Sequence, residues 1–96
     1  MRKYEMMAII SPALNDDETA AAIAQIDELL ATEGATGIQT QKMGRRKLAY
    51  PIKKVSEGFY TLTTFESEVA AKDEVDRRMT LNEKIIRHMT FRLDEK

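Results

Sequence analysis

The densest group of residues that could do chemistry is a run of cations in the middle of the chain. Residues 42–54 hold six Lys or Arg side chains and no Asp or Glu, whereas residues 4–41 hold no Lys or Arg. Because no carboxylate within the run offsets the repulsion, we interpret it as an anion-binding patch rather than a solvated face. Arginine matches phosphate oxygens in two-point contacts, so a phosphate backbone is the expected ligand. The cations are Lys42, Arg45, Arg46, Lys47, Lys53 and Lys54.

The other reactive side chains favour structural roles. Asp16, Asp17 and Glu18 are adjacent, and adjacent helical positions do not converge on one point. The start of a helix explains these carboxylates better than catalysis or metal binding does. His88 has no second histidine and no cysteine with which to share a metal. We therefore expect no catalytic residue, no metal site and no cofactor, and we expect that the protein is not an enzyme.

Composition bounds the kind of protein that this chain can be. Its 96 residues are 43% hydrophobic and 32% charged, which suits one modest globular core. The lack of cysteine excludes disulfide scaffolds and thiolate metal sites. No apolar run is longer than the five residues 6–10, which are too few for a membrane span or a signal peptide. We expect a single cytosolic domain over residues 1–96, and the net charge of −1 alone gives no argument for nucleic acid.

Four strands are predicted from the alternation of apolar residues. Residues 2–10 and 59–66 alternate most clearly, and these are the most apolar strands. Residues 36–50 are more polar and contain a glycine, which suits the edge of a sheet. Residues 85–93 predict the last strand, in which two adjacent isoleucines could form a β-bulge. Turn residues and lysines over residues 51–58 predict a loop.

Two helices are predicted between these strands. Asn15 and Glu18 have the spacing of a capping box, and Gly34 is a natural stop for the helix that they begin. A second helix is predicted over residues 68–80, with Ser67 as its cap. The resulting order of elements, βαββαβ, is the ferredoxin-like split β-α-β arrangement. It is an α+β fold with one four-stranded antiparallel sheet and both helices on one face.

One face of such a sheet should stay uncovered, because two helices can cover only the other. The first and third strands should lie at the centre of the sheet. An uncovered apolar face is typical of a surface that binds a partner. The candidates for this partner-protein surface are Met7, Ile9, Tyr60, Leu62, Met89 and Phe91.

Three segments of the chain form recognisable motifs. They are residues 1–5 (MRKYE) followed by Pro12, residues 44–52 (GRRKLAYPI) and residues 81–89 (LNEKIIRHM). With these motifs the chain resembles the family of the sixth protein of the bacterial small ribosomal subunit, and the resemblance runs through essentially the whole chain. It implies a structural, non-catalytic protein of the cytoplasmic ribosome. Such a protein binds the central domain of the small-subunit rRNA together with the eighteenth small-subunit protein.

The resemblance also implies which residues meet each partner. The central motif would carry over onto residues 45–47 and Tyr50 as an element that faces RNA. The open sheet face would receive the eighteenth small-subunit protein. We expect the free protein to be a monomer with no membrane and no small-molecule partner. The candidate RNA-binding residues are Arg2, Lys3, Lys42, Arg45, Arg46, Lys47, Tyr50, Lys53, Lys54, Arg87 and Arg92.

Two other function classes fit the predicted fold. A regulatory or ligand-sensing domain would form a stable homodimer without affinity for RNA, which sedimentation would reveal. An acylphosphatase-like enzyme would need an arginine and a positioned asparagine in a loop that cradles phosphate. The turn at residues 11–15 contains no arginine. The cationic run and the uncovered apolar face favour binding of RNA and protein over both alternatives.

Overall fold

Six elements follow one another in the predicted order. The computed structural model describes residues 1–52 and 55–93, with the backbone alone for residues 49–52 and 55. Neither helix in these residues has the length and hydropathy needed to span a bilayer. The elements are β1 (Arg2–Ile10), α1 (Asp16–Thr32), β2 (Thr36–Ile52), β3 (Val55–Ser67), α2 (Val69–Leu81) and β4 (Ile85–Arg92). This order confirms the α+β, ferredoxin-like arrangement.

The four strands form one antiparallel sheet in the order β2-β3-β1-β4. The predicted arrangement is confirmed, since the apolar β1 and β3 lie at the centre and the polar β2 lies at an edge. Pairing of β1 with β3 is continuous, from Arg2 opposite Ser67 to Ile10 opposite Phe59. On its other side β1 pairs with β4, where the register shifts by one residue at Ile86. That shift is the bulge predicted for the two adjacent isoleucines.

Both helices pack against the same face of the sheet. The rings of Tyr4 on β1 and Phe65 on β3 contact each other there, with centroids 5.6 Å apart. Burial of each large apolar side chain in this layer stabilises the fold by about 1.5–3 kcal/mol. The buried members of the core that the two helices contribute are Ala22, Ile23, Ile26, Leu30, Val75 and Met79.

A polar network inside the helix-covered side ties α1 to the sheet. The hydroxyl of Thr40 on β2 donates to Asp27 Oδ1 at 2.6 Å and lies 3.2 Å from the hydroxyl of Thr63 on β3. Thr63 is fully buried, so its hydroxyl requires such a partner. The network fixes the position of β2 relative to α1.

The first helix begins and ends as the sequence predicts. The Asn15 side chain accepts a hydrogen bond from the Glu18 N–H at 2.8 Å, and the Glu18 side chain accepts one from the Asn15 N–H at 3.1 Å. This capping box satisfies two of the N–H groups at the start of the helix. The helix ends at Thr32, and Gly34 follows with φ +91°, a conformation that glycine adopts without strain.

The second helix begins differently from the prediction. Its N-cap residue is Glu68, and no side chain caps the first turn. Ser67 instead ends β3, where it pairs with Arg2, and its hydroxyl donates to the Glu68 carbonyl at 3.1 Å. The prediction that Ser67 caps α2 is wrong because the ladder between β1 and β3 extends one residue further than the alternation indicates.

The hairpin of β2 and β3 is longer than predicted. The loop predicted over residues 51–58 is wrong for most of its length, since β2 continues to Ile52 and β3 begins at Val55. Ile52 and Val55 pair with each other across the hairpin. The turn residues that favour a loop are here accommodated in a paired ladder. Lys42, Arg45, Arg46 and Lys47 therefore lie on an extended edge strand.

Candidate nucleic-acid and protein interface

A β-bulge in β2 decides where the three cations directly after it, Arg45, Arg46 and Lys47, point. Lys42 lies opposite Thr61 and Gly44 lies opposite Tyr60, so Met43 is an extra residue on β2. Gly44 has φ +87°, which a residue with a side chain rarely adopts. A bulge of this kind re-aims the side chains that follow it. The directions of Arg45, Arg46 and Lys47 therefore depend on this one extra residue.

The bulge leaves the cations on both sides of the β2 edge. Residues directly opposite each other in an antiparallel ladder share a face of the sheet. By their partners on β3, Lys42, Arg45 and Lys47 lie on the helix-covered side. Arg46 lies on the open side, opposite Gly58. The run that reads as one patch in the sequence is thus divided, although all four side chains are exposed.

Arg45 is engaged within the protein. Its Nη1 donates to the Pro12 carbonyl at 3.3 Å and its Nη2 donates to the Leu14 carbonyl at 3.1 Å. These carbonyls belong to the loop between β1 and α1, so the guanidinium ties the edge strand to that loop. Pro12 and Leu14 are 33 and 31 residues away in sequence, and no local pattern signals the contact. The part of Arg45 predicted to meet phosphate is already partnered by carbonyl oxygens.

The same loop offers no cradle for a phosphate. It presents carbonyl oxygens to Arg45, whereas a cradle would present N–H groups to an anion. An acylphosphatase-like site therefore lacks its anion-binding element in this loop. The N–H groups of the loop that donate to acceptors of the chain itself are those of Ser11, Ala13, Leu14 and Asn15.

The three other cations of the run that the structure describes form no ion pair. Among residues 1–52 and 55–93, no carboxylate oxygen lies within 4.0 Å of the side-chain nitrogens of Lys42, Arg46 or Lys47. Lys42 shares a cavity of about 180 Å³ with Asp16, next to α1. Lys47 lies opposite Glu57. Arg46 lies opposite Gly58, which has no side chain to pair with it.

The remaining RNA candidates are spread over the molecule. Arg2 and Lys3 are exposed at the start of β1. On β4, Arg87 lies on the open side and Arg92 on the helix-covered side, opposite Ile9 and Tyr4 respectively. Three of the predicted sites, Lys53, Lys54 and the side chain of Tyr50, lie outside the described atoms. The assignment of these residues to RNA binding remains a prediction.

His88 belongs to a small polar network next to α2. Its Nε2 lies 3.5 Å from Asp76 Oδ1, which also accepts a hydrogen bond from the Thr90 hydroxyl at 2.8 Å. Asp76 Oδ2 forms an ion pair with Lys72 at 3.0 Å. No group of three or more His, Cys, Asp or Glu side chains in the described residues could hold a metal ion. The surroundings of His88 thus have a structural explanation.

The open sheet face brings the six partner-surface candidates together. Leu62, Met7 and Met89 lie side by side across β3, β1 and β4. Tyr60 lies one step along β3 in one direction, and Phe91 lies one step along β4 in the other, where it is 48% exposed. We call these five residues the apolar stripe.

Ile9 lies on the same face but does not form part of its surface. It is only 3% exposed because it packs into the space above Gly58, where a Cβ atom would overlap Ile9 Cγ2. The prediction that Ile9 contacts the partner is wrong, because its side chain is buried and supports the surface from below. The apolar stripe lies between this packed group and the carboxyl end of β3.

Comparisons with known proteins agree with this fold and identify the family. The family model described as ribosomal protein S6 matches residues 3–92. Small ribosomal subunit protein bS6 of Fusobacterium nucleatum is 42% identical over 94 residues, which cover 98% of this chain and all of that protein. The corresponding protein of Desulforamulus reducens is 40% identical over 95 residues, or 99% of this chain and all of the relative.

A solved structure gives the same result in three dimensions. The crystal structure of 30S ribosomal protein S6 from Thermotoga maritima has a TM-score of 0.89 and 32% identity to this chain. The match covers 95% of this chain and 86% of that one. A de novo designed protein with 10% identity and a TM-score of 0.57 shares the fold alone. This chain belongs to the ribosomal protein S6 family, and it is a protein of the bacterial small ribosomal subunit in the cytoplasm.

Proposed function

We propose that this protein binds small-subunit rRNA through cations of β2 while its open sheet face receives the eighteenth small-subunit protein. The observation that carries the proposal is the position of Arg46, which lies exposed at one end of the uncovered apolar stripe. A side chain suited to phosphate and a surface suited to protein therefore adjoin on one face. Membership of a ribosomal family supports this non-catalytic role, and the identity of the protein partner rests on the family resemblance.

The cationic edge supports contact with a phosphate backbone rather than with bases. Arg46 and Lys47 point to opposite sides of β2, so a strand of RNA that follows this edge meets a cation on each side. Phosphate contacts position a protein without reading sequence. Specificity would then come from the shape of the folded RNA and from the protein partner.

The apolar stripe supports contact with a protein. Aromatic residues and methionine are enriched at the centres of protein interfaces, and the stripe contains Tyr60, Phe91 and two methionines. Methionine side chains adapt to the shape of a partner because they are unbranched and flexible. Because both helices cover the other face, this surface stays accessible to a second chain.

The test of RNA binding compares Arg46→Gln with Lys84→Gln, a matched loss of one exposed cation at the turn before β4. Affinity for an rRNA fragment of the central domain would be measured over a range of salt concentrations with the eighteenth small-subunit protein present. We expect Arg46→Gln to bind about 5-fold to 10-fold more weakly and the slope of log K against log salt to fall by about 0.7–0.9.

The control should leave both quantities unchanged. An Arg46→Gln variant with wild-type affinity and wild-type salt slope, together with the same result for Lys47→Gln, would refute the role of β2 in RNA binding. Sedimentation of the free protein checks the accompanying expectation that it is a monomer. A stable homodimer without RNA affinity would instead favour a regulatory domain.

A further inference from the structure

The open sheet face is electrically polarised along its strands. Two carboxylates, Glu5 and Glu66, and one cation, Lys3, lie on this face at one end of the apolar stripe, whereas Arg46 and Arg87 lie at the other. Arg87 pairs with Ile9, which is four residues from Glu5 on β1, or about 13 Å along the strand. The stripe therefore runs from a negative end to a positive end.

The carboxylates at the negative end have no cation of their own. Lys3 is opposite Glu66 in the register, yet no ion pair of 4.0 Å or less joins any described residue to Glu5 or Glu66. Both carboxylate side chains are partly buried. Glu66 Oε2 lies beside Gly37 on β2, 3.5 Å from where a Cβ atom would stand. Each carboxylate thus relies on water for its hydrogen bonds while the face is free.

A depression of about 410 Å³ lies next to Glu5. In the register of the sheet, Thr64 lies between Glu5 on β1 and Gln39 on β2, and Leu62 lies next to Gln41 one step along β3. The depression is therefore bordered by a carboxylate, two side-chain amides and a hydroxyl, with an apolar residue at the end that meets the stripe.

These groups select for a cation with several donors. A carboxylate only accepts hydrogen bonds, and each glutamine amide has an oxygen that accepts as well. A partner that covered the depression without supplying a cation would strip water from Glu5, which is costly unless the charge is paired. A guanidinium has five N–H donors in one plane, enough to reach the carboxylate and an amide oxygen together.

We propose that this depression takes an arginine side chain from a basic segment of the protein that docks on the apolar stripe. The proposal rests on the docking function proposed above and adds the chemistry and the orientation of the partner. Charge complementarity favours a protein over RNA here, because a phosphate in the depression would face the uncompensated carboxylate of Glu5. The cationic segment of the partner would therefore lie at the end of the sheet remote from Arg46.

The test measures binding of the eighteenth small-subunit protein to the full chain by titration calorimetry at low and high salt. Glu5→Gln keeps the size of the side chain and removes its charge. We expect it to weaken binding about 10-fold or more at low salt, with a smaller difference at high salt where charges are screened. Glu83→Gln, at an exposed position before β4, is the matched control and should bind like the wild type.

A double-mutant cycle identifies the arginine directly. Each arginine of the partner would be replaced by alanine in turn and tested against the wild type and Glu5→Gln. We expect one such replacement to lose most of its effect in the Glu5→Gln background, because both changes then remove the same contact. Additive effects for every arginine of the partner would overturn the proposal.

Leu62→Glu separates this inference from the docking function itself. If Leu62→Glu leaves partner binding unchanged, the apolar stripe is not the docking surface and both proposals fail. If Leu62→Glu abolishes binding while Glu5→Gln changes neither affinity nor salt dependence, docking stands and the arginine site is refuted. Stronger binding of the rRNA fragment by Glu5→Gln, with unchanged partner affinity, would show that the depression faces RNA instead.

Discussion

Gly58 determines the shape of the open face by having no side chain. Ile9 fills the space above it, and an added Cβ atom would also lie 3.2 Å from the Ile10 carbonyl oxygen. That carbonyl belongs to the central strand and cannot move without disturbing the ladder. Ile9 is buried on this face because Gly58 leaves room for its side chain.

We predict that Gly58→Ala destabilises the fold by about 1–3 kcal/mol, since overpacking forces Ile9 or the backbone to shift. The free energy of unfolding in urea measures the effect. Ser56→Ala, at an exposed position of the same strand, should change it little. Wild-type stability of Gly58→Ala would mean that Ile9 can move away freely.

Glu74 makes the stability of the folded protein depend on pH below about pH 4.5. Hydrogen bonds from Arg77, at 2.7 and 2.8 Å, and from Arg78, at 3.2 Å, lower the pKa of its carboxyl to about 2. A carboxyl with a lowered pKa stabilises the folded state above its ordinary pKa of 4.5 and loses this contribution as the pH falls toward 2.

We predict that Glu74→Gln makes the free energy of unfolding fall less steeply between pH 4.5 and pH 2. Urea unfolding at a series of pH values measures the slope, with Glu83→Gln as the control. A slope identical to that of the wild type would show that the two arginines do not hold the charged form of Glu74.

At the scale of elements, Arg45 and Arg46 have opposite roles on the same strand. The Arg45 guanidinium ties β2 to the loop between β1 and α1, whereas Arg46 projects from the open side. Adjacent residues of a strand alternate between faces, so one edge strand can carry both a structural and a binding arginine.

We predict that Arg45→Gln lowers the free energy of unfolding by about 1 kcal/mol, because two hydrogen bonds from a charged group are lost at an exposed site. Its effect on the salt slope of RNA binding should be small. Arg46→Gln should show the reverse pattern, with wild-type stability and a reduced slope. Equal slopes for the two variants would indicate that Arg45 leaves the loop to bind phosphate.

The elements themselves were predictable because their signals are local. The capping box at Asn15 and the stop at Gly34 each depend on residues within one turn of the helix. The faces of the cations were not predictable, since Gly44 alone does not show whether Met43 is inserted into the ladder. The extent of the hairpin and the beginning of α2 depend on pairing between strands. The alternation of apolar and polar residues within one strand does not show how far that pairing extends.

At the scale of the whole molecule, the net charge of −1 limits what the cations of β2 can do alone. A near-neutral protein has little long-range attraction for a polyanion. Residues 4–41 carry seven acidic and no basic side chains, and Glu5 lies on the face that carries Arg46. RNA binding should therefore depend on a second protein that contributes positive charge.

We predict that the protein alone binds an rRNA fragment of the central domain at least about 10-fold more weakly than it does together with the eighteenth small-subunit protein. Fluorescence anisotropy with labelled RNA measures both affinities at one fixed salt concentration. Equal affinity with and without the second protein would show that β2 suffices for binding.

The insertion of Met43 makes the two possible pairings of β2 with β3 differ by a slip of one position. In the observed alignment Arg46 accompanies the apolar stripe, whereas in the slipped alignment Arg45 and Lys47 would take its place on that side. Gly44 decides between these alignments through a backbone conformation open mainly to glycine. A substitution of Gly44 would thus change which cationic side chains of β2 face the open side, although no charged residue is replaced.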